Sequence, residues 1–280
     1  MTATKAPDIT VTQAVEALVR KTIGLSDSDM AREWKWGAYD EEGLRFALLM
    51  THHELRELAV RLAAARDRQP SQAARILAQY HQAYRDLTGV LAAIGTDDLD
   101  QPPSEGEWPV REVCEHMLGA EYGFLRVCRI ALERHRAGKP DEPTEDEWNA
   151  ASAPYLQSRE AAVDPLDSAT INEIRNAFAT IHIRNLRELG DITDDEIDQP
   201  AWFWDGPMPL RFRLHRFEEH LRQHTIQLDK TLAGIGRPPT EAQRLVRNVY
   251  NALADVEMER APTDLQRDIA HAIQDRAAAL

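Results

Sequence analysis

The placement of proline constrains this chain more than any other feature. Proline breaks a helix interior, and the residue before it avoids helical backbone angles. The 15 prolines bunch, with Pro102, Pro103 and Pro109, then Pro140, Pro143, Pro154 and Pro165, then Pro200, Pro207 and Pro209, then Pro238 and Pro239. Between the bunches run long segments rich in Ala, Leu, Arg and Glu, good helix formers. Their limits predict helices over 10–23, 41–66, 72–94, 109–136, 168–189, 209–233, 240–254 and 263–279. Pro109 and Pro209 open theirs, where a missing N–H costs nothing. The stretch 137–165 reads as a loop, as does the tryptophan-rich turn 202–209. No alternating strand pattern competes, so the expected class is all-α.

Composition narrows the partners. A net charge of -14 opposes binding to a phosphate backbone, so no nucleic acid is expected. No apolar run approaches the roughly 20 residues of a membrane span. Met1 to Thr10 lacks the basic start and apolar run of an export signal, which predicts a cytoplasmic protein. The two cysteines, Cys114 and Cys128, fall about 20 Å apart if one helix carries both, too far to pair. Their apolar neighbours predict core-filling thiols.

A loop motif recurs. Thr96-Asp97-Asp98-Leu99-Asp100-Gln101-Pro102 is echoed by Thr193-Asp194-Asp195-Glu196-Ile197-Asp198-Gln199-Pro200. Tryptophan follows each, Trp108 in one case and Trp202 and Trp204 in the other, and then a proline-led helix. Two such helical hairpins make a four-helix bundle, whose facing helices can aim side chains at one interior site. Residues 1–70 then form an N-terminal helical extension with an extra hairpin, 71–236 the bundle, and 237–280 a C-terminal helical tail that could cap it or pair two copies into a homodimer.

Within the bundle, helical phase singles out three histidines. On 209–233 the apolar stripe runs Leu214, Phe217, Leu221, Leu228, and His220 and His224 fall on it one turn apart. His215, five residues before His220, points about 140° around the helix. On 109–136, His116 lies beside Val113 and Ala120, at the edge of the stripe, roughly where the other hairpin has its pair. Three imidazoles can hold a divalent ion and leave positions open for water or substrate. A His-x-x-x-His spacing is also met by hydrogen-bonded or solvated pairs, and that reading stays open. Leu221 stands where a zinc peptidase needs its glutamate base, and no histidine has a glutamate three residues before it, as a ferritin-like di-metal site requires. No phosphate loop or serine nucleophile elbow occurs.

The stretches Glu107-Trp108-Pro109-Val110-Arg111-Glu112-Val113-Cys114-Glu115-His116 and His215-Arg216-Phe217-Glu218-Glu219-His220-Leu221-Arg222-Gln223-His224-Thr225-Ile226-Gln227 resemble the DinB-like (YfiT-like) four-helix-bundle metalloproteins over about 72–236. The resemblance implies that His116, His220 and His224 bind one divalent metal, nickel or zinc. It implies a small-molecule substrate, because members of the family include transferases using low-molecular-weight thiols, an isomerase and hydrolases. On that pattern the ion activates a thiol or water, Gln227 contacts substrate or bound water as a catalytic residue, and Glu115, Glu121 or Glu219 orients a ligand imidazole. His182, beside Phe178 and Ile181, is the one extra candidate for the pocket. The alternatives are a non-catalytic metal- or ligand-binding bundle and a structural dimer.

Overall fold

The computed structural model describes residues 9–38, 41–259 and 263–280. Met1 to Asp8 and Pro262 lie outside them. The described residues carry ten α-helices and one small hairpin: α1 Val11–Thr22, α2 Asp27–Met30, α3 Arg45–Ala64, α4 Gln72–Ala92, α5 Val110–Arg136, α6 Glu145–Val163, α7 Ile171–Leu189, β1 Pro200–Phe203, β2 Gly206–Pro209, α8 Leu210–Gly234, α9 Glu241–Glu257 and α10 Thr263–Ala278. All eight predicted helices are present, with ends displaced by up to four residues. Among the described residues no helix is long and apolar enough to cross a membrane.

The chain divides into two compact units, one of Met1–Gln69, Thr88–Ala93 and Pro239–Leu280, the other of Pro70–Leu87 and Ile94–Pro238. In the first, α1, α3, α9 and α10 close on a core that includes Leu18, Leu48, Leu55, Leu58, Tyr250, Leu253 and Ile273. Capping boxes start two of these helices, Thr10 with Gln13 and Thr240 with Gln243. Arg276 of α10 is fully buried, donating to Thr51 Oγ1 at 2.7 Å and to both oxygens of Glu54 at 2.8 and 2.9 Å.

The second unit is the four-helix bundle, in which Tyr80 ties the helices together. From α4 its hydroxyl donates to Glu121 of α5 and accepts from Asn185 of α7 at 2.9 Å. Its ring meets Phe217 of α8 at 5.1 Å between centroids. Cys114 and Cys128 lie buried on α5, and burial pushes each thiol up to about 12.

The recurring loop has a structural counterpart. Arg111 grips Asp100 through two bonds of 2.6 and 2.9 Å, and Arg211 grips Asp198 through two of 2.5 and 2.9 Å. The same arginines' backbone N–H groups donate to Leu99 O at 3.0 Å and Ile197 O at 2.7 Å. Each Asp-Arg clasp fixes where a proline-led helix departs, and thereby the phase of every residue beyond it. Aligned on the clasps, His116 corresponds to Arg216, while His220 and His224 correspond to Ala120 and Phe124. The three histidines therefore do not occupy repeat-related positions.

Two expectations are corrected. The stretch 137–165, read as a loop from its prolines, contains α6, with Pro154 inside it. Thr144 and Glu147 form a capping box there, and Glu145, Asp146 and Glu147 place negative charge in the first turn, favourable to the helix dipole. Packing on α5 and the Arg134 bonds to Pro140 O and Glu147 offset the backbone bond lost at Pro154. The turn 202–209 lies within the hairpin β1–β2, in which Trp202 pairs with Pro207. Gly206 closes it at φ 90°, a conformation side-chain-bearing residues avoid, and Arg213 of α8 clamps it by donating to Asp205 and to Gly206 O.

Candidate metal centre

His220 and His224 face inward from α8, with 6% and 7% of their surfaces exposed, and His116 approaches them from α5 at the solvent edge. His215 is exposed, on the far side of α8. The ring centroids of His116 lie 5.0 Å from His220 and 4.6 Å from His224, and those of His220 and His224 are 4.3 Å apart. One ligand atom from each residue lies within 4.8 Å of the other two.

This set fits a metal ion on its own geometry. His116 Nε2 and His220 Nε2 are 3.1 Å apart. Two nitrogens about 2.05 Å from one tetrahedral ion stand about 3.3 Å from each other. Burial, together with neighbouring His224 and His116, pushes His220 down to about 3, and burial with His224 nearby lowers His116. Both imidazoles are thus neutral near pH 7, the form that carries a ligand lone pair. His224 Nδ1 donates to Gln227 Oε1 at 2.7 Å. A carbonyl oxygen only accepts, so Nδ1 carries a proton and Nε2 is the nitrogen left to face an ion.

Gln227 is therefore a positioning residue for His224 in this structure. The three glutamates read as supports for the imidazoles have other surroundings. Glu121 bonds Tyr80 and Asn185, Glu219 pairs with Arg216, and Glu115 leaves Oε1 buried without a partner. His220 Nδ1 is likewise buried without a partner. His182 lies outside the group of three histidines. It is 3% exposed, bonds His81 at 2.8 Å through Nε2, and stacks on Tyr84 at 3.7 Å. The pairing of His81 with His182 joins α4 to α7, a contact between distant segments that no spacing within either helix signals.

Aromatic rings wall the three histidines. Trp108 lies 5.2 Å from His116, and Phe124 lies 5.3 Å from His220 and 5.4 Å from Phe217. Phe217 is legible as part of the apolar stripe and Trp108 as the tryptophan after the recurring loop, but the meeting of aromatic rings with imidazoles is not. Phe124, against the buried His220, lowers the local dielectric on the inner side of the group.

An all-helical bundle with three imidazoles converging from two of its helices defines a class of candidate metal-binding proteins. The family model of the DinB superfamily matches residues 79–228, more than half the chain, and the protein belongs to that superfamily. The matched span contains all three histidines and Gln227. Comparison with curated proteins and with solved structures found no match.

Proposed function

We propose that His116, His220 and His224 hold one divalent cation, zinc or nickel, and that the protein is a metal-dependent transferase or hydrolase acting on a small molecule. The observation that carries this reading is the 3.1 Å approach of His116 Nε2 to His220 Nε2 between two imidazoles held neutral. When bound, such an ion supplies Lewis acidity, lowering the pKa of a thiol or water so that the anion is available near neutral pH.

The protein's own residues prepare that chemistry. Gln227 fixes the tautomer and ring orientation of His224 through the 2.7 Å bond. Burial keeps His220 deprotonated, so no proton competes for its lone pair. His116, at the exposed edge, leaves the centre open to the side from which a substrate arrives, and Trp108 offers an apolar surface there. On this reading the co-substrate is a low-molecular-weight thiol or water.

The test is thiol consumption. Protein loaded with zinc or nickel is incubated with a low-molecular-weight thiol and a panel of electrophiles and esters, and loss of free thiol or of ester is followed. Turnover that disappears in the metal-stripped protein and in His220→Ala supports the assignment. Stoichiometric metal with no turnover across the panel would show a binding bundle instead.

A further inference from the structure

A second cluster lies on α5 beyond His116, on the face that α6 covers. Gly119, Tyr122, Gly123 and Arg126 of α5, with Tyr155 and Arg159 of α6, line a cleft of about 200 Å³. Glycine is a poor choice inside a long helix, yet both glycines have a use here. A Cβ on Gly119 would come within 3.0 Å of the Arg159 guanidinium, whereas one on Gly123 would meet nothing within 4 Å. The first lets Arg159 lie close on α5, and the second leaves the floor of the cleft open.

The charge in the cleft is unbalanced. The neighbouring arginines of this unit have carboxylate partners: Arg111 pairs with Asp100, Arg129 with Glu133, Arg134 with Glu147 and Arg184 with Glu188. Among the described residues Arg126 and Arg159 form no ion pair. Arg126 is half-buried, and its Nε is buried without an acceptor. Its guanidinium lies over the rings of Trp148 and Phe203, at 5.5 and 5.8 Å. Burial, and then the like charge of Arg159, lower its pKa. Arg159 is exposed to water, so in a chain with 47 acidic against 33 basic residues the half-buried Arg126 is the cation that a partner from outside would satisfy. A guanidinium presents forked donors that match a carboxylate or phosphate.

We infer that this cleft binds an oxyanion, the carboxylate or phosphate group of a small molecule, with Arg126 as its main anchor and Arg159 completing the grip. Gly123 lies about 20° around α5 from His116 and roughly 10 Å along its axis. A molecule anchored at Arg126 can thus extend toward the three histidines. That it is the substrate of that centre rests on the function proposed above, while the anion binding itself does not.

The full-length protein is titrated calorimetrically with inorganic phosphate and, separately, with succinate, at constant ionic strength held by chloride. One saturable site is expected for at least one probe, and the preferred probe tells a phosphate ester from a carboxylate. Arg126→Gln should weaken binding at least tenfold. Gly123→Leu, which fills the cleft without removing charge, should do the same, with melting temperature and metal content unchanged. If Gly123→Leu fails to fold, Arg159→Gln takes its place. Absence of saturable binding of both probes, or an Arg126→Gln affinity equal to wild type, overturns the inference. Anion binding without stoichiometric metal would remove the three-His reading and leave the cleft. Metal without anion binding would do the reverse.

Discussion

Glu121, buried in the bundle, makes the stability of the protein depend on pH. Its carboxyl is 1% exposed, accepts from Tyr80 Oη and from Asn185 Nδ2 at 3.0 Å, and leaves Oε1 with no donor. Burial pushes it from its ordinary 4.5 up to about 8, against the two hydrogen bonds, which favour the charged form. In the unfolded chain the group ionises near 4.5, so between 4.5 and about 8 the folded protein holds a proton that the unfolded one has released. Stability from this site is fully present below pH 4.5 and is lost as pH rises toward 8. A difference of about 3.5 between the two pKa values corresponds to roughly 5 kcal/mol over the whole range. Glu121→Gln keeps the shape and cannot ionise. Urea denaturation of both proteins from pH 5 to pH 8.5 isolates the effect, because other titrations cancel in the difference. The variant should be near wild type at pH 5 and more stable by several kcal/mol at pH 8.5. A difference that does not change with pH would refute the reasoning.

Gln227→Leu removes the acceptor for His224 Nδ1 and should weaken metal affinity about 10- to 100-fold without unfolding the bundle, as measured by competition with a chromogenic chelator. Cys114 and Cys128, buried with thiols pushed up to about 12, should resist a thiol reagent in the native state and both react on unfolding. Prompt labelling of either in the native protein would contradict their placement. Arg276→Met leaves the Glu54 carboxylate facing the core of the first unit without its partner and should cost about 3 kcal/mol or more in urea denaturation.

Much of the fold was legible because proline and helical periodicity are local signals. The inward phase of His220 and His224 followed from Leu214, Phe217, Leu221 and Leu228, and the outward phase of His215 from the same arithmetic. The repeated Asp-rich loops were visible too, but their purpose required the clasps from Arg111 and Arg211, which also show that His116 is not the repeat partner of His220. Helix α6 is hidden in the sequence because Pro154 opposes a helix there, while the Thr144 and Glu147 cap that favours one is a weaker local signal. The contacts of Glu121, Tyr80 and Asn185 come from three helices, as do those of Arg126 with Trp148 and Phe203 from two helices and a strand. Nothing within one segment announces such meetings. The sequence offers Gln227, one turn beyond His224, as a contact for substrate or bound water, and its hydrogen bond to the His224 imidazole is visible only in the structure.

On the proposed reading the three imidazoles form one metal site. Elemental analysis of purified protein reloaded with zinc or nickel and freed of excess ion tests it most directly, alongside His116→Ala, His220→Ala and the double variant His220→Ala/His224→Ala. One equivalent of metal is expected in the wild type, weakened retention in each single variant, and none in the double variant with the helical content intact. Substoichiometric metal in the wild type, or the same metal content in the double variant, would contradict it.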